Sequence, residues 1–86
     1  MNNFHQMQVF IAVAEEGGFA AGARRLGISP PAVTRTVSAL EERLGVKLLN
    51  RTTRYVRATE AGLRYLEDSR RVLELADQAD EAAAGI

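Results

Sequence analysis

The sequence predicts a mainly α fold: three helices, a short β-hairpin and one long final helix. Three observations carry this expectation. Apolar residues recur at helical spacing near the start of the chain. A glycine turn at residue 27 leads directly into a Ser-Pro-Pro helix start, and residues 60–84 read as one helix opened by a threonine.

Asn3 and Gln6 have the spacing of a capping box, which places the start of the first helix at about Phe4. Met7, Phe10, Ile11 and Ala14 then follow the i, i+3, i+4, i+7 pattern, and Gly17-Gly18 stops the helix after Glu16. Phe19 to Leu26 reads as a short second helix with Phe19, Ala23 and Leu26 inward and Arg24 and Arg25 outward. Gly22 weakens that helix by roughly 1 kcal/mol relative to alanine, unless it is there to let two helices approach closely. Gly27 suits the left-handed residue that ends a helix, with Ile28 packing beneath the turn. Ser29 can cap the third helix, and Pro30 at the next position needs no N–H donor of its own. Short helix, glycine turn and capped helix make a helix-turn-helix.

The third helix has two faces. Val33, Val37, Leu40 and Leu44 fall on one side, and Pro31, Arg35, Ser38 and Glu42 on the other. A helix with an apolar back and a small, polar, arginine-bearing front suits a DNA major groove, and it equally suits an ordinary surface position. Gly45 ends it. Residues 47–50 and 55–57 read as two short strands around Arg51-Thr52-Thr53-Arg54, although the turn lacks the Asn-Gly or Asp-Gly signal of the tightest hairpins. Thr59 caps the last helix, from Glu60 to about Ala84. Its stripe of Leu66, Leu73, Ala76, Ala79 and Ala83 is too long for a domain of this size to cover, so it calls for another helix.

Eighty-six residues make one small domain with a modest core. The absence of cysteine excludes disulfides and thiolate metal sites and suits a reducing cytoplasm. No apolar run approaches the ~20 residues a membrane span needs. The first residues lack the basic start and long apolar stretch of a signal peptide. The formal net charge of zero conceals a division. Residues 1–58 hold eight basic and four acidic side chains, a net of +4; residues 59–86 hold three basic and seven acidic, a net of −4. From Arg43 to Thr59 there are five positive charges and no acid. Such polarity is the electrostatic footprint of a nucleic-acid-binding half joined to an acidic half.

At these residues the chain resembles the amino-terminal DNA-binding domain of LysR-type transcriptional regulators. The carriers are residues 10–19, 23–29, 32–35, 40–54 and the Thr59-Glu60-Ala61-Gly62 run, in joint order and spacing over nearly the whole chain. The resemblance implies a winged helix-turn-helix over residues 1–58, followed by a linker and dimerisation helix over 59–86 that pairs two chains. In full-length family members a larger effector-sensing domain follows. It is absent here, so the chain reads as a DNA-binding fragment with no small-molecule effector. The family's usual Ser is Gly18 here, its usual Ser or Thr is Ala20, and its usual Gln, a common reader of base edges, is Pro30. Pro30 offers only apolar contact, for instance with a thymine methyl, in place of a hydrogen bond.

Arg35 is the foremost candidate for direct readout, since a guanidinium can fork onto guanine O6 and N7 or hold a phosphate. Pro30, Pro31, Thr34 and Ser38 share its helix. Arg51 and Arg54 flank the tip of the hairpin wing, where they can reach a minor groove or a phosphate; the alternative is that they protect an exposed edge strand. Arg24, Arg25, Lys47 and Arg57 are weaker candidates, and Glu41-Glu42 read as solvated. The dimer interface is expected at Leu66, Leu73, Ala76 and Ala83. His5 is the one histidine and has no second ligand beside it. There is no nucleophile–base pair and no glycine-rich phosphate loop, so neither enzyme chemistry nor a cofactor is expected. Three readings follow: a DNA-binding module acting as a homodimer, a winged helix used for protein–protein assembly, or a small enzyme or antitoxin-like regulator, for which the sequence holds no catalytic constellation. The polarised charge favours the first.

Overall fold

The first helix, α1 (Asn3–Glu16), is the element around which the others assemble. The computed structural model describes residues 3–52 and 55–85. Helices α2 (Phe19–Leu26), α3 (Pro30–Leu44) and α4 (Glu60–Ala84) all pack on α1, and the second strand of a hairpin, β1 (Leu49–Arg51) with β2 (Val56–Ala58), reaches it as well. Being covered from several sides, α1 needs a wide apolar face rather than a narrow stripe. Val9, Phe10, Ala12 and Val13 are therefore completely buried, while Met7 and Ala14, which the periodicity selected, are only half-buried. The capping box is corrected too. Asn3 lies inside the helix, and the buried Gln6 side chain instead accepts a 3.0 Å hydrogen bond from Arg43 Nε at the end of α3.

Gly22 is where α1 and α2 nearly touch. A Cβ there would lie 3.0 Å from Val13 Cγ2 and 3.1 Å from Val13 Cα, so close approach accounts for the glycine. Gly18 precedes α2 in extended conformation and provides no side-chain cap, as its replacement of serine implies. The turn into α3 follows the expected chemistry. Gly27 is left-handed at φ +70°, Ile28 N–H reaches back 3.1 Å to Ala23 O, and Ser29 Oγ accepts from Ala32 N–H at 3.2 Å. Val33, Val37 and Leu40 enter the core. Leu44, placed with them by periodicity, is 37% exposed because the last turn of α3 runs past the core.

The hairpin is antiparallel, with Leu49 opposite Ala58, Asn50 opposite Arg57 and Arg51 opposite Val56. Its first strand begins two residues later than expected because residues 47 and 48 are bonded elsewhere. Glu41, expected in solvent, is mostly buried; its carboxylate accepts from Leu48 N–H at 2.8 Å and Leu49 N–H at 3.1 Å, and Lys47 Nζ lies 3.7 Å away. Thr59 Oγ1 donates to Lys47 O at 2.8 Å and accepts from Gly62 N–H at 3.0 Å, while Thr59 N–H donates to Leu48 O at 2.9 Å. One end of the hairpin is thus riveted to α3 and to the start of α4.

Only the first half of α4 belongs to the core. Ala61 and Leu66 pack against it, Ser69 is buried, and Tyr65 meets Phe10 edge-to-face at 5.6 Å between ring centroids. Arg70 binds Glu15 of α1, which also holds Arg25 of α2, so one carboxylate joins three helices. Further along, Leu73 and Ala76 are half-buried, and Leu75, Ala79 and Ala83 are exposed. The helix extends the molecule to 47 Å in its longest dimension against 26 and 22 Å across.

Candidate nucleic-acid interface

The local rules that start α3 also orient it. The Ser29 cap fixes its first turn, Val33, Val37 and Leu40 hold its back in the core, and the opposite side is left in solvent. Pro30, Pro31, Arg35 and Ser38 are exposed there, and Thr34 is half-buried beside them. Thr36 bonds its own helix, Oγ1 donating to Ala32 O at 2.9 Å. Among the described residues no carboxylate pairs with Arg35, and its side chain is exposed.

The wing carries the second positive group. Thr52 closes the described part of its turn: its Oγ1 donates to Tyr55 O at 2.9 Å and accepts from Tyr55 N–H at 3.1 Å, and its own N–H donates to Tyr55 O at 2.9 Å. Arg51, exposed at the end of β1, lies with its guanidinium carbon 4.0 Å over the centre of the Phe19 ring. Val56 N–H, directly across the ladder, donates to Gly17 O at 3.2 Å. These contacts set the wing against the start of α2. Arg57 lies over Tyr55 at 5.2 Å, and neither Arg51 nor Arg57 has a carboxylate partner among the described residues. Arg54, expected beside Arg51, lies outside the described residues.

The weaker candidates separate. Arg25 is committed to Glu15 at 2.7 Å and Glu16 at 3.4 Å, and Lys47 leans toward Glu41, whereas Arg24 is exposed. The Glu15 carboxyl is held below its ordinary value by the hydrogen bond from Arg25 first and from Arg70 second. The same bond to Glu15 raises the Arg25 guanidinium. Two residues were missed from sequence. Glu41 was hidden by its acidic neighbour Glu42, although it is the last acid but one before the acid-free run. Phe19 was assigned to packing, and nothing in local spacing links it to Arg51. The expected interface residues on α4 divide by burial: Leu66 is partly covered by the core, Leu73 and Ala76 are half-buried, and Ala83 is exposed. Among the described residues no group of side chains has the composition of a metal site, and no helix is long and apolar enough to cross a membrane.

Comparison with known proteins agrees with this geometry. The model of the bacterial regulatory helix-turn-helix protein, lysR family, matches residues 4–63. The HTH-type transcriptional regulator TfdS of Cupriavidus pinatubonensis is 56% identical over 72 residues, covering 84% of this chain and 24% of TfdS. The chain thus spans about a quarter of that relative's length. Among solved structures, the CbnR DNA-binding domain in complex with DNA superposes with a TM-score of 0.92 at 49% identity, covering 95% of this chain and 94% of that one. The BenM DNA-binding domain in complex with catB site 1 DNA gives 0.93 at 32% identity, covering 96% and 92%.

Proposed function

The chain belongs to the lysR family of bacterial regulatory helix-turn-helix proteins, and from that premise we propose that it is the DNA-binding part of a transcriptional regulator. The observation that carries this reading is the division of α3, which buries Val33, Val37 and Leu40 and leaves Arg35 exposed, with no carboxylate partner among the described residues, beside Pro30, Pro31, Ser38 and the half-buried Thr34. α3 is the recognition helix, and its exposed face enters the major groove with Arg35 reading a base edge or fixing a phosphate. Pro30, which has no side-chain donor or acceptor, contributes apolar contact there. Arg51 and Arg54 of the wing meet phosphates or a narrow minor groove, a contact without strong sequence preference. The working division is residues 1–58 for DNA and 59–86 for the linker helix, whose first turns also complete the core.

The active species is a homodimer paired through α4, with Leu66, Leu73, Ala76 and Ala83 along the seam. Two recognition helices then meet an interrupted palindrome whose half-sites lie about one helical turn, ~10 bp, or a multiple of it apart. The protein acts in the cytoplasm, where the DNA is.

Selection from pooled random duplexes tests the reading directly. Recovered sequences should share such a palindrome, and affinity should fall with salt; a chain that recovers none and ignores salt is not a DNA-binding module. Sedimentation tests the seam. The chain should pair at high micromolar concentration, and Leu73→Glu should abolish pairing without unfolding the protein. A Leu73→Glu variant that pairs normally places the interface elsewhere.

A further inference from the structure

We propose that Phe19 is a positioning residue for the wing: its ring holds the Arg51 guanidinium in one orientation, so that the arginine meets the DNA backbone already arranged. This inference rests on the DNA-binding reading above. The guanidinium carbon stands 4.0 Å over the ring centre, and Phe19 is itself half-buried and packed against the core at the start of α2. The platform is therefore fixed to the body of the domain. The strand that carries Arg51 is fixed to the same place, because its ladder partner Val56 donates to Gly17 O, two residues before Phe19.

A guanidinium lying over a ring spends its π face on the aromatic and keeps its N–H edge, and its charge, for another partner. No carboxylate among the described residues competes for that edge. An arginine on a flexible stem loses rotamer freedom when it binds; one already stacked has lost part of it beforehand, and binding is tighter for that reason. Arg57 supplies an internal contrast. It lies 5.2 Å over Tyr55, which is 49% exposed, whereas Phe19 packs against the core, so only Arg51 has a platform that belongs to the body of the domain.

The test is a double-mutant cycle in the whole chain, with affinity for a pool of random-sequence duplexes read at several salt concentrations. Phe19→Leu and Phe19→Met keep an apolar side chain in the core and remove the ring; either serves where the other fails to fold. Phe19→Trp keeps a stacking face. Loss of the ring should weaken binding about fivefold, Phe19→Trp should restore it, and neither loss should add to that of Arg51→Ala. An equal loss in the Arg51→Ala background would overturn the proposal, because the ring would then act through the fold alone. So would full affinity in Phe19→Leu beside weakened binding in Arg51→Ala. If Arg51→Ala itself binds normally, the wing contact is what fails, and the stacking goes with it.

Discussion

Arginines stand both on the recognition side of the molecule and on α4, but in opposite electrostatic states. On α4, Arg64 pairs with Glu60, Arg70 with Glu15, and Arg71 with Glu67 and Asp68. On α3 and the wing, Arg35, Arg51 and Arg57 have no carboxylate partner among the described residues. Residue type therefore does not make the interface. What differs is whether the fold has already supplied the counter-charge. Acids at i−3 and i−4 spacing on the same helix pair with Arg64 and Arg71, and Glu15 of α1 pairs with Arg70, so each of these arginines already has its counter-charge. The side formed by α3 and the wing carries arginines with no carboxylate partner among the described residues, and in the reading proposed above DNA phosphates supply the counter-charge.

The two regions meet at Gly62, and the largest expected effect is there. A Cβ at this position would sit 2.0 Å from Leu48 O, a backbone atom already accepting from Thr59 N–H. Gly62→Ala must push the start of α4 away from the root of the wing. We expect a loss of about 3 kcal/mol in urea unfolding, together with lost DNA affinity. Unchanged stability would mean that the helix and the wing are less tightly joined than their hydrogen bonds indicate.

The comparison of arginines is sharpened by making the same substitution on both sides. Arg35→Ala should weaken binding to the selected duplex by ~1–3 kcal/mol with unfolding unchanged. Arg71→Ala removes two exposed pairs, with Glu67 and Asp68, and should change stability by less than about 0.5 kcal/mol and DNA affinity hardly at all. Arg51→Ala falls between them in kind. It should flatten log affinity against log salt by about 0.9 for one phosphate contact and weaken all sequences alike. Equal losses in Arg35→Ala and Arg71→Ala would erase the distinction between the regions.

The elements legible in the sequence are those set by local chemistry. Gly27, Ser29, Pro30 and Gly45 mark the ends of α2 and α3, and these boundaries hold because each signal satisfies its own neighbours' backbone groups. The exposed set on α3 was legible for the same reason, since helical period alone separates it from Val33, Val37 and Leu40. Features decided by distant residues were not. The start of β1 shifted because Glu41 and Thr59, seven and twelve residues from their partners, take the backbone groups of residues 47 and 48. The burial of Val9 and Val13 depends on how many helices surround α1, which periodicity does not report. The stacking of Arg51 on Phe19 joins residues whose spacing carries no signal.

A small effect also attaches to the Glu15 carboxylate, which joins α4 to α1 and α2. Glu15 accepts from Arg25 Nη1 at 2.7 Å and from Arg70 Nε at 2.8 Å, and these bonds, the first above all, lower its pKa from an ordinary 4.5. A carboxyl lowered on folding stabilises the native state above its unfolded value, and that contribution is lost as pH falls through the folded value. The partners are partly solvated, so the contribution at neutral pH is about 1 kcal/mol or less. Glu15→Gln should accordingly lower the thermal midpoint slightly at pH 7, and the gap from the unsubstituted chain should close as pH drops below 4.5. DNA affinity at neutral pH should stay near that of the unsubstituted chain, because Arg25 and Arg70 lie on α2 and α4 rather than on α3 or the wing. A gap that persists unchanged in acid would show that Glu15 joins the helices by shape and hydrogen bonding rather than by charge. A marked rise in DNA affinity would show that Arg25, once released, belongs with the arginines of the recognition side.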